Sequence, residues 1–491
     1  MATPIQRSFA GGEIAPSLYA RVDTIKYQTG LRTQRNWFTM KSGGAANRAG
    51  SEFIAEVKTS ATAVRLIPFV FNADQTYVLE FGDQFLRIYR DGVQLTLTAQ
   101  AITGVTNAST AVLTYTGADN YANGDEVYVS GIVGPIGTYL NGRNFKVAGL
   151  NSGANTFQLN YMDGTAVNST SMGAYTSGGT IEEVYTIASP YAVADLPTLN
   201  FVQSADVITI VHPSYAPREL ARTGHTSWAF STITFAPTIA TPVLDSAALG
   251  GSHTGTANYS YVFTAVDPVT GEESLPSNVV TSPDGDDPLD TGSYVEVFLG
   301  AGPTYATGTD FNVYKALNGV YGFIGISADA SVFKDIGYVP DTSDTPPTAR
   351  NPFSGSDNYP TAVAYHQQRL TFANTNNDPE TVWASKTGHF KNFTISSPLR
   401  DDDSVTFSLA GRRVNAIKHL LDRSELEILS TAGEWAILGG ESGILRPGDI
   451  NPKPISQNGS STLAPLEVGG EALYVQARAW VFREVGQYGS A

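Results

Sequence analysis

The sequence contains no cysteine, which removes disulfides and thiolate metal sites. Stability then has to come from packing or assembly, and a reducing cytosol is the expected folding compartment. No apolar run approaches the ~18 residues of a membrane-spanning helix. The opening MATPIQRSFAGGEIAP lacks the basic-then-apolar order of a secretory signal. Basic residues are also scarce: 30 Lys and Arg stand against 46 Asp and Glu, a formal charge of −16. A non-specific nucleic-acid binder shows the opposite balance, because its affinity comes from neutralising phosphate. DNA beside this chain would be repelled and left free to slide. High solubility is the plainer reading of the same charge.

Catalytic patterns are missing as well. The six histidines, His212, His225, His253, His366, His389 and His419, are scattered, and no pair has the His-x-x-x-His spacing of a metal site. There is no G-x-S-x-G nucleophile elbow and no phosphate-binding Gly-rich loop. No catalytic residue, cofactor or enzyme activity is therefore expected. Two acidic clusters stand out. Asp284, Asp286, Asp287 and Asp290 form a loop of the kind that holds Ca²⁺ through oxygen ligands. The EF-hand spacing and its terminal Glu are absent, so a solvated loop is the plainer reading. Asp401, Asp402 and Asp403 follow Arg400 and mark either a channel-facing or partner-facing site, or a solvated turn.

What the sequence does have is short strands and turns. Gly (48) and Pro (26) are spread evenly, and aromatics make up 11%. Its 491 residues suggest about three domains. Residues 64–97 read RLIPFVF, TYVLEF, QFLRIY and VQLTL, with Gly, Asn or Asp in each gap, which is an antiparallel meander. The style changes over 98–181, where strands at 111–115, 126–129, 143–147 and 156–159 are separated by NGD, NGR and NSGAN turns. That pattern predicts a small inserted β-barrel. Residues 182–236 return to the first style, with strands at 201–212 and 228–235. Proline-bordered 237–348 predicts about seven short strands in a second insertion, a fibronectin-III-like sandwich. Residues 349–491 bring evenly spaced strands, including 472–477 and 480–484, as in the blades of a β-propeller. The expected fold is all-β: a discontinuous propeller-like body carrying two guest modules.

The N-terminal part of 1–97 is the least β-like. Asp23 is expected to cap a helix over 24–38, with Gly30 weakening it. A turn at 41–45 and a first strand at 51–57 (SEFIAEV) follow. Arg21, Arg32, Arg35 and Arg48 cluster in an otherwise acidic chain, either to pair with acids of a neighbouring subunit or as a solvated face.

Several phrases carry a resemblance. NGDEVYVSG, LNGRNFKV and NTFQL in the first insertion resemble the β-barrel modules called FCCH-like. SFAGGEIAPSLYARVDTIKYQTGLRTQRNW, followed by SGGAANRAGSEFIAEV, resembles the opening of the tail tubular protein B-like, or nozzle, proteins of short-tailed bacteriophages. RLIPFVFNADQTYVLEFGDQFLRIY, LNFVQSADVITIVHP, YHQQRLTFANT, SELEILSTAGEWAI and ALYVQARAWVFRE extend it across the body, but not into the insertions. The resemblance implies a virion tail protein assembled in the bacterial cytoplasm. It implies a hexameric ring beneath a tail adaptor, contacting tail fibres or spikes, whose channel passes genomic DNA without specific binding. Chains of that family usually run well past the segment matching 472–484, so either an incomplete propeller or a trimmed chain is the expectation here. A competing reading is a phage adhesin binding host glycans through the inserted modules, with Tyr259, Tyr261, Tyr294 and Tyr321 as stacking platforms or, more simply, as core. A third, a depolymerase on a propeller, lacks any carboxylate pair that stands out.

Overall fold

A computed structural model describes residues 5–485, apart from 119, 329–331, 412–413, 441–442, 469–470 and 478–480. The chain divides into two compact units, Met1–Glu56 and Val57–Ala491. Among the described residues no helix is long and apolar enough to cross a membrane.

In the first unit the helix is short, Ile25–Thr29. Its cap is Thr24, whose hydroxyl accepts from the Tyr27 N–H. Asp23, the expected cap, is held instead by Arg21 at 2.7 Å. The helix stops because Gly30 turns extended and pairs in parallel with Gly12. A Cβ at residue 30 would sit 2.4 Å from the Ile14 side chain and 2.5 Å from the Lys26 carbonyl, so only glycine fits. Trp37–Thr39 and Ala45–Asn47 form a hairpin in place of the helix's expected second half. Residues 51–57 form no strand. Phe53 and Ile54 there are exposed, and no neighbouring edge offers a ladder.

The regular structure of the second unit is nearly all strand. Its first sheet is the meander Arg65–Asn72, Gln75–Gly82 and Phe85–Arg90, as the alternation at 64–97 predicts. The chain leaves this sheet after Val93–Gln94 and returns as Thr186–Ala188, antiparallel to Phe85–Arg90, with Thr186 opposite Arg87. Between exit and return lies a closed six-stranded barrel. Its core includes Leu113, Val127, Phe145, Phe157 and Ile181, all essentially inaccessible. The four strands expected from the turn signals are there. Closure comes from two others, Gln100–Val105 and Thr180–Glu183, which pair with each other.

Four more antiparallel sheets follow in chain order, each a meander of consecutive neighbours apart from chain that loops out between strands. The second is Asn200–Ser204, Val207–His212, Tyr215–Gly224 and Ser227–Thr232. The single strand expected over 201–212 is thus a hairpin, turned at Ala205 in the left-handed region (φ 47°). The third sheet runs from Ala362–His366 to Val405–Ser408, and the fourth from Ile417–Asp422 to Ile450–Ser456. The fifth has three strands, Leu466–Val468, Glu471–Val475 and Phe482–Val485. The strand expected over 480–484 begins at a residue outside those described.

Each sheet packs on the next through its own apolar cluster. Phe69, Tyr77 and Trp228 join the first and second. Val211, Phe372 and Trp383 join the second and third, Val382, Ile417 and Ile428 the third and fourth, and Leu429 and Tyr474 the fourth and fifth. Side-chain amides stitch neighbouring sheets at their backbones. Gln203 both donates to the Val70 carbonyl (2.8 Å) and accepts from its N–H (3.1 Å). Asn200 donates to the Thr361 carbonyl, and Asn374 to that of Ile417.

Between the second and third sheets the chain builds a sandwich of a three-stranded and a four-stranded sheet. The two share one core, with Val295 and Val297 on one side and Phe263, Phe311 and Val313 on the other.

Candidate functional surfaces

Buried charged groups sit at both places where an inserted module meets a sheet. Arg87, on the first sheet, is fully buried and bridges two carboxylates. It donates to Glu80 on the adjacent strand (2.8 Å) and to Glu126 on the barrel (2.6 Å). Tyr89 donates to Glu80 at 2.6 Å, and Asn144 to Glu126 at 2.7 Å. Burial pushes the Tyr89 phenol far above its ordinary range, so it stays a donor. Arg87 lies on the outward face of the meander by alternation, opposite Glu80 in register. The sequence shows that face to be amphipathic, but not that a carboxylate 39 residues later completes it.

The sandwich has a counterpart in Glu272, also buried. It accepts from the Thr238 N–H (3.0 Å), the Thr238 hydroxyl and Asn392 (2.8 Å), with His389 at 3.5 Å. Asn392 and His389 belong to the third sheet's loop, so this carboxylate ties the sandwich to the sheet that follows it. Glu273 turns inward and accepts from Thr264, Asn312 and Tyr314. A Gly-Glu-Glu-Ser turn offers no local signal that its acids are internal.

The Asp401–Asp403 cluster is split. Asp403 is fully buried and paired with Lys386 at 2.8 Å. It also accepts from the Ser396 hydroxyl and N–H and from the Arg400 N–H. Burial alone would raise its carboxyl, but Lys386 and these donors outweigh that and hold it below the usual carboxylate range. Arg369, equally buried, donates to the carbonyls of Ser385 and of all three aspartates. Asp403 is therefore an internal anchor and not a channel-facing residue. Asp401 and Asp402 are exposed, and Asp401 meets Arg446 at 3.1 Å.

Two carboxylates of the Asp284–Asp290 loop are taken by backbone N–H groups. Asp286 accepts from the Thr254 N–H, and Asp290 from those of Gly292 and Ser293. These N–H groups hold both carboxyls below their ordinary value. Asp284 and Asp287 are exposed. Among the described residues no three His, Cys, Asp or Glu side chains are grouped to hold a metal ion. Of the four tyrosines, Tyr261 is buried and donates to Asp335 inside the sandwich, which removes it as a stacking platform.

Arg21, Arg32, Arg35 and Arg48 are all exposed on the first unit. Arg32 lies over the Tyr19 ring at 5.6 Å, and Arg48 donates to Asn36. Around them Ile5, Ile25, Phe38 and Phe53 are also exposed, and Ile14 is the one buried residue described in the unit. An open cavity of about 780 Å³ is lined by Ile5, Arg7, Tyr19, Tyr27 and Arg32 among others. The sequence makes the arginines visible. The uncovered apolar surface was hidden because a helix over 24–38 and a strand over 51–57 would each have buried one face. Compared with protein-family models and with curated proteins, the chain matches none.

Proposed function

We propose that this chain is a structural virion protein, the tail nozzle of a short-tailed phage, forming a ring through which DNA leaves. What carries the reading is where the nozzle-like phrases fall. They lie on the first unit and on the successive sheets, and none falls in the barrel or the sandwich. The body is thus the shared part, and the modules are attachments inserted into it. Five meander sheets, each packed on the next, are read as propeller blades, and the sandwich as fibronectin-III-like. Identical subunits close a ring through heterologous contacts, and six is the expected number. The adaptor and the fibres or spikes are the expected partners, with the guest modules projecting toward the latter. Acidic charge suits a conduit that must not hold phosphate. Electron microscopy of the purified full-length protein tests this. Rings with an axial hole are expected, and a uniform field of single particles would overturn it.

A further inference from the structure

The N-terminal unit is folded yet has no core. Its described residues form a parallel strand pair, a capped helix and a hairpin, and bury one side chain, Ile14. Ile25 is 80% exposed, Phe53 80% and Phe38 62%. Successive residues of a strand point to opposite faces, and both Trp37 and Phe38 are exposed. The hairpin therefore presents an aromatic side chain on each of its two faces.

Charge indicates what covers it. Residues 1–56 hold seven of the 30 basic residues and four of the 46 acidic ones, so the remainder holds 23 basic against 42 acidic. Arg7, Lys26, Arg35 and Lys41 form no ion pair among the described residues. A cationic, apolar unit and a strongly acidic one are carried on the same chain, which lets each copy supply what the next requires.

We propose that the Met1–Glu56 unit is an intersubunit arm, its hairpin and arginine-bearing surface covered by the acidic Val57–Ala491 unit of a second copy of this chain. The inference rests on the ring reading above and names the element that makes the ring. In a heterologous contact every copy both gives an arm and receives one, so the exposed surface is covered all round once the ring closes.

The test uses the full-length protein in analytical ultracentrifugation. The unaltered chain is expected to sediment as a closed oligomer, and Trp37→Asp with Phe38→Asp to weaken association at least tenfold. Arg35→Glu with Arg48→Glu is expected to do the same more strongly at low than at high salt. Retained near-ultraviolet dichroism shows that the second unit still folds. A photo-crosslinking residue at position 38, in a mixture of ¹⁴N- and ¹⁵N-labelled copies, is expected to give mixed-isotope adducts within residues 57–491. Oligomers untouched by the substitutions, or adducts confined to single chains, overturn the arm while the ring reading stands. Adducts formed only on addition of another tail protein overturn it too, by naming a different occupant. A monomeric unaltered chain overturns both.

Discussion

His419 shows how a single side chain ties two sheets and makes that tie depend on pH. It is buried on the fourth sheet, and its Nε2 lies 3.2 Å from the carbonyl of Ser461, in the segment leading to the fifth. Burial pushes its pKa down to about 4, and the nearby Lys418 pushes the same way. The folded value is below the unfolded one of about 6.5, so protons favour the unfolded chain. Its stabilising effect is whole above that value and is lost as pH falls from about 6.5 toward 4, to a limit of about 3 kcal/mol. Replacing His419 by Gln keeps a donor without a titrating ring. The variant is expected to show a shallower fall in melting temperature between pH 6.5 and 4, and an unchanged slope would refute the assignment. None of this was legible in the sequence, where the histidines appear scattered. Asp403 teaches the same lesson. In a run of three aspartates nothing local says which one faces inward, and Lys386, seventeen positions earlier, decides it.

Among the elements, what could be read depended on whether a strand's partners were local. The meander at 64–97 was legible because each strand pairs with its sequence neighbour across a short turn. The barrel's strands at 126–130 and 143–151 were legible for the same reason. Its closing strand Thr180–Glu183 pairs instead with residues some fifty and eighty positions away, and TIEE is too short and polar to announce itself. The N-terminal helix failed similarly: Gly30 is claimed by a parallel partner eighteen residues earlier. The junctions are non-local too, and they set how the modules are held. Arg87→Met would leave Glu80 and Glu126 buried without their shared cation, a change that costs about 3–5 kcal/mol when one partner of a buried pair is removed. We expect hydrogen exchange to rise together in Phe85–Arg90 and Glu126–Ser130, with the sandwich unaffected. Adding Glu80→Gln and Glu126→Gln to Arg87→Met should recover most of the loss, since the stranded charges are then gone. Exchange rising evenly over the whole chain would argue against a local junction.

For the whole molecule, charge is the property that bears most directly on the proposed passage of DNA. The second unit carries 42 of the 46 acidic residues, and several of its cations are internal: Arg87, Arg369 and Lys386 are buried against carboxylates or carbonyls. Buried acids such as Glu80, Glu126, Glu272 and Asp403 offset these internal cations, and the acidic excess of the composition remains at the surface that phosphate would approach. Ordinary non-specific binders hold duplex DNA with dissociation constants of about 10⁻⁴–10⁻⁶ M at physiological salt. Here we expect no retardation of a linear duplex at about 10 µM protein, even when salt is lowered to about 50 mM, where such binding strengthens steeply. If a shifted band appears at low salt and vanishes with Arg35→Glu and Arg48→Glu, the first unit's arginines are free to reach phosphate, which is incompatible with their being covered in the ring. If it survives those changes, the second unit itself grips DNA, and a conduit that must release its cargo along its length is the wrong description of this fold.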